Sequence, residues 1–170
     1  MKTETKNLAH PAIVEQVTRN TTSWIGHRII DNKDFIAGQT FVVPEEGDLE
    51  AIEIFPSIVT RPGKLVMSIH NFDPLENHWG PALGKSSIDI NGKETGQWLA
   101  FNLHGMHLHK GRAYGFRLES PDAYIGVAEA AGSHQMPPYE AGREWSFAKN
   151  QNSEKSFSYF SLAFKVDMRA

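Results

Sequence analysis

Leu65-Val66-Met67-Ser68-Ile69, Trp98-Leu99-Ala100-Phe101-Asn102-Leu103 and Arg112-Ala113-Tyr114-Gly115-Phe116-Arg117-Leu118 decide the fold. In each run every second residue is large and apolar, the period at which a β-strand turns one face to a core. Leu65, Met67 and Ile69 alternate with Val66, Ser68 and His70. Leu99, Phe101 and Leu103 alternate with Trp98, Ala100 and Asn102, and Tyr114, Phe116 and Leu118 with Ala113, Gly115 and Arg117. One apolar and one mixed face per strand is the pattern of antiparallel sheets solvated on one side.

The same rhythm extends in both directions. Ala37 to Phe41 and Leu49 to Phe55 precede these runs, with Ile52 and Ile54 on one face; near the C-terminus Phe160, Leu162, Phe164 and Val166 alternate with Ser161, Ala163 and Lys165. The connections carry breakers: Pro44-Glu45-Glu46-Gly47-Asp48, Arg61-Pro62-Gly63, Asn91-Gly92-Lys93 and Lys110-Gly111. Two longer stretches, 71–84 and 131–157, read as loops, and loops of that length in a compact domain tend to be functional. Trp24 to Ile30 reads as a first strand and Asp31-Asn32-Lys33-Asp34 as a turn. Before it, Pro11 with Ile13, Val14 and Val17 predicts a short helix over 8–19. The expectation is an all-β, two-sheet jelly-roll sandwich of eight to ten strands over residues 24–170, behind an N-terminal arm or helix over 1–23.

Composition narrows the function classes. The chain has 170 residues, 40% hydrophobic and 22% charged, which suits one domain with its own core. A net charge of −3 without a basic cluster gives no electrostatic case for nucleic acid. Cysteine is absent, which removes disulfides, thiol nucleophiles and thiolate metal sites. The polar start, Met1-Lys2-Thr3-Glu4-Thr5-Lys6-Asn7, has no apolar run behind it, so neither a secretory leader nor a membrane span is expected and cytoplasmic residence is the default. There is no G-x-S-x-G, P-loop, G-x-G-x-x-G or H-E-x-x-H.

Residues 35–166 resemble a jelly-roll module of bacterial carbohydrate-binding or galactose-binding-like accessory domains. The matching segments are Gly38-Gln39-Thr40-Phe41-Val42-Val43-Pro44, Leu49 to Ile54, Gly80-Pro81-Ala82-Leu83-Gly84 and Trp98 to Leu103. Leu108, Gly111, Tyr114, Phe116 and Leu118 follow, then Ala123 to Val127 and Tyr139 to Trp145. The resemblance implies a carbohydrate-binding or anchoring accessory role.

Two constellations carry candidate chemistry. In His104-Gly105-Met106-His107-Leu108-His109, two imidazoles at i and i+2 share a strand face and a third precedes them, a donor set for zinc or another borderline metal. Glu119 or Asp122 would complete it. The second constellation is aromatic: Trp79, Trp98, Tyr139 and Trp145 offer faces on which sugar C–H groups stack, and Asn102, Arg117 and Glu129 offer hydrogen bonds to hydroxyls. Glu119, Asp122, Glu129, Glu140 and Glu144 are concentrated where a glycosidase would need a carboxyl pair, yet no spacing separates acid from nucleophile. The leading expectation is a non-catalytic carbohydrate-binding module without a resident cofactor. An assembly protein associating with its own copies through residues 8–30, and a metal-dependent enzyme using the three histidines, remain as alternatives.

Overall fold

The computed structural model describes residues 12–148 and 153–169, and in them the chain is an antiparallel β-sandwich. In chain order the strands are β1 (Val14–Gln16), β2 (Thr21–Arg28), β3 (Lys33–Val42), β4 (Gly47–Ile54), β5 (Pro56–Arg61), β6 (Gly63–Asp73) and β7 (His78–Ile90). They continue with β8 (Leu99–Leu108), β9 (Ala113–Glu119), β10 (Tyr124–Ala131), β11 (Glu144–Ala148), β12 (Ser153–Phe157), β13 (Phe160–Leu162) and β14 (Phe164–Arg169). A four-stranded sheet runs β1-β14-β4-β8 and packs on a ten-stranded sheet whose main path is β13-β10-β2-β3-β9-β6-β7. Among the described residues there is no helix long and apolar enough to cross a membrane.

The alternating faces meet as their period requires. Ile52, Ile54, Phe101, Leu103, Phe164 and Val166 of the smaller sheet face Phe41, Leu65, Met67, Ile69, Tyr114, Phe116 and Leu118 of the larger. All are essentially buried. At about 25 cal/mol per Å² of apolar surface removed from water, these layers supply the main driving force for folding.

Three expectations are corrected. Over its described part the segment 8–19 is not helical: Val14–Gln16 is a strand paired to β14, Val14 opposite Val166. Val14 and Gln16 point inward and Glu15 outward, so the period is two, and Gln16 Nε2 donates to the Leu162 carbonyl at 3.2 Å. Residues 8–11 lie outside the described residues. The stretch 71–84 is no loop but a hairpin, with β6 running to Asp73 and β7 starting at His78 around a short turn in which Asn77 takes φ 52°. The loop 131–157 contracts to 132–143, followed by β11 and β12.

A second apolar cluster lies on the outer face of the larger sheet. Trp79 of β7 lies opposite Phe72 of β6 and reaches over β6 and β9 toward β3 to meet Trp145 and Phe147, with all three ring centroids 5.5–5.8 Å away. The crossing is possible because the residues beneath it are glycines: a Cβ on Gly115 would come within 2.5 Å of the Trp79 ring, and one on Gly38 within 3.1 Å.

Candidate functional site

At one end of the sandwich the β6–β7 turn and the 132–143 loop stand apart and leave a cleft of about 230 Å³. Its floor is Thr40 and Val42 of β3, Phe72 of β6 and Ala113 of β9; its walls include Asn77, Tyr139, Glu140, Arg143 and Ser158. The cleft shares Val42, Phe72, Pro74 and Ala113 with a second, more open hollow of about 560 Å³ that adds Asn71, Asp73, His78 and Arg112. Apolar ring surface and groups of both charge signs thus line one groove.

The far wall is held by backbone. Arg143 N–H donates to Thr40 Oγ1 at 3.0 Å, and Thr40 N–H donates to the Arg143 carbonyl at 3.1 Å. Gly142 lies so close to the Thr40 carbonyl that no Cβ fits between them. Tyr139 packs edge-on against Phe164, centroids 5.4 Å apart, and burial raises its phenol pKa. Arg143 Nη1 donates to Ser156 Oγ at 3.3 Å, which aims the guanidinium along the rim.

The other aromatics expected to bind do not share this cleft. Trp79 and Trp145 are 6% and 4% exposed inside the outer cluster, so neither presents a ring face as a loop residue would. Arg117 is sandwiched with them, its guanidinium carbon 4.7 Å from the Trp79 centroid and 4.1 Å from that of Phe147. Burial lowers its pKa. Trp98 sits at a separate corner, edge-on to Phe55 and beneath Lys165, whose Nζ is 4.4 Å from the ring centroid. Asn102 is exposed on the outer face of β8. Trp24 and Tyr124, which sequence reasoning passed over, stack at 5.1 Å on the outer face of the larger sheet.

The carboxyls divide in the same way. Glu129 and Glu144 are 6% and 5% exposed and lie beside each other; burial first, then the neighbouring Glu129, raises the pKa of Glu144, so the pair holds a proton. Both are buried in the interior, whereas glycoside hydrolysis needs two carboxyls facing each other across an open cleft. Asp122 is occupied with the chain itself, its Oδ1 accepting from Lys64 N–H at 2.9 Å. Glu140 reaches the cleft.

Of the three histidines, two come together. His107 Nε2 and His109 Nδ1 lie 2.7 and 2.8 Å from the same oxygen, Glu46 Oε2, and His107 Nδ1 lies 2.7 Å from Asp48 Oδ1. These contacts, Asp48 first, raise the His107 pKa; Lys110 N–H and then His107 hold Glu46 down at about 2. His104 is diverted. Between the pairs Asn102↔Ala51 and Met106↔Leu49, β8 carries three residues against one on β4, and Gly105 takes φ 92°. That bulge leaves His104 beside Glu50, at 3.7 Å. The carboxylates beside the histidines are therefore Glu46 and Asp48, not Glu119 or Asp122.

Within the segment expected to mediate self-association, β1 is at the edge of its sheet among the described residues, and Ile29 and Ile30 at the β2–β3 turn are 63% and 90% exposed.

The fold is similar to a crystal structure of the cysteine protease and lectin-like domains of Cwp84, a surface layer associated protein of Clostridium difficile. Identity is 11% and the TM-score 0.50; the match covers 81% of this chain and 33% of that one, so this chain spans about a third of the length of the crystallised chain. Likeness at this identity is likeness of fold. No family model matches the chain, and no curated protein matches it.

Proposed function

We propose that this chain is a binding module that seats a carbohydrate in the cleft between the β6–β7 turn and the 132–143 loop. The observation that carries the reading is the cleft's lining. Tyr139 and flanking prolines offer apolar surface for the C–H face of a sugar ring above a floor that includes the edge of Phe72, while Asn77, Glu140, Arg143 and Ser158 offer donors and acceptors for hydroxyls. The narrower part suits one ring, and the adjoining hollow, with Asn71, Asp73 and Arg112, suits the next residue of an oligosaccharide. Likeness of fold to a protein that carries a lectin-like domain supports the reading by analogy. Stacking and hydrogen bonding suffice for such a role, and no bond need be broken.

The test is a glycan-array screen on the purified chain, followed by titration of any retained glycan against variants. Arg143→Ala and Glu140→Ala remove exposed side chains while leaving the backbone contacts of the wall in place. Each should weaken binding about tenfold, the value of one charge-assisted hydrogen bond. Trp98→Ala, at the distant corner, should leave affinity unchanged. Failure to retain any glycan, or loss with Trp98→Ala but not with the cleft variants, would move the function elsewhere.

A further inference from the structure

We propose that Glu46, His107 and His109 form a binding site for a divalent transition metal of the zinc type, separate from the sugar cleft. The antiparallel pairing of β4 with β8 sets Gly47 opposite Leu108 and Asp48 opposite His107, so Glu46 falls opposite His109. Gly47 and Leu108 turn inward and are buried, and the four side chains between which they alternate all turn outward. Two imidazoles and one carboxylate consequently converge, with one donor atom from each lying within 4.8 Å of the others. Zinc–ligand bonds of about 2.0–2.2 Å place tetrahedral donors about 3.4 Å apart, which these exposed side chains reach by small rotations.

The surroundings orient the donors as a metal site requires. Asp48 accepts from His107 Nδ1–H, which fixes the ring and turns Nε2 toward Glu46 and His109. A carboxylate behind a ligating histidine is the usual outer support of a zinc site. Lys110 N–H binds Glu46 Oε1 at 3.0 Å, leaving Oε2 as the converging atom. His109 is anchored through its backbone N–H, which donates to Tyr114 Oη at 2.9 Å. Nitrogen donors favour zinc, copper, nickel or cobalt over magnesium and calcium, which prefer all-oxygen shells. The remaining coordination position faces solvent and takes water. Bound metal would clamp the segment before β4 to the β8–β9 turn.

The test is calorimetric titration of tag-free protein with zinc chloride alone at neutral pH, with magnesium chloride in parallel. One zinc per chain is expected and no magnesium. Glu46→Gln, His107→Ala and His109→Ala should each weaken zinc binding at least about tenfold, and Asp48→Asn about tenfold through loss of the outer support. His104→Ala should bind as the parent does. Circular dichroism of each variant checks the fold, which these exposed side chains do not hold together. Absence of zinc binding up to about 1 mM, the weakest affinity worth the name of a site, would overturn the proposal. So would zinc affinity unchanged in the Glu46 and histidine variants. No sugar enters the titration, so its outcome is independent of the cleft.

Discussion

Glu144 and Glu129 place two carboxyls in a nearly waterless position, and the pair is tolerable because one of them keeps its proton. Glu144 titrates above its ordinary value of 4.5 in the folded chain, with burial the larger cause and Glu129 the next. The sign follows. Below about pH 4.5 the folded and unfolded chains are both protonated there, and the contribution to stability is complete. As pH rises the unfolded chain ionises freely while the folded one resists, so stability drains away toward the folded pKa. Glu144→Gln supplies an N–H donor to Glu129 at every pH in nearly the same volume. Its melting temperature should exceed the parent's by about 2–6 °C at pH 8, with the gap closing toward pH 4.5. A gap independent of pH would mean that Glu144 is ionised in the fold. Asp167, pushed up to about 8 by burial and by Glu53, keeps some slope in the variant. His70, lowered chiefly by burial, acts the other way and costs stability below its ordinary value of 6.5.

At the scale of elements, strand period was readable and strand partnership was not. Leu65, Met67 and Ile69, or Tyr114, Phe116 and Leu118, declare their inward face within five residues, and every one is core. β7 is the last strand of its sheet and buries only Trp79 and Ile90, so its period is weak and its first half reads as loop. Val14–Gln16 is too short for its period to separate strand from helix. The histidines were legible as a cluster, but Glu46 and Asp48 join them only through the β4–β8 register, which links residues some sixty positions apart. Likewise Trp79 reads as an exposed loop aromatic because Gly38 and Gly115, the bare patches it covers, lie on other strands, and Trp145 does so because its ring partners Phe72 and Trp79 come from the β6–β7 hairpin. Trp79 is the peg between the β6–β7 hairpin and β11. Trp79→Ala should cost about 3–5 kcal/mol in denaturant unfolding. Hydrogen exchange should rise first in β11 and β12 and least in β4 and β8, across the sandwich. Uniform loss of protection would show that the outer cluster is continuous with the main core.

For the molecule as a whole, β1 lies beside β14, with Val14 opposite Val166, and β2 beside β10, β3 beside β9 and β4 beside both β8 and β14. Most ladders therefore join strands that are distant along the chain, while the β6–β7 hairpin is the longest local one. Each distant ladder must close a large loop before its contacts stabilise anything, and that closure entropy falls on the barrier. Refolding from denaturant, followed by tryptophan fluorescence, should take milliseconds to seconds or longer; full recovery in less than about a millisecond would contradict this. The pairing of β1 with β14 carries the same cost in time. The ladders of β14 with β1 and β4 join the last described strand to two early ones, so a nascent chain leaves the facing edges of β1 and β4 unpaired until residues 164–169 have emerged from the ribosome.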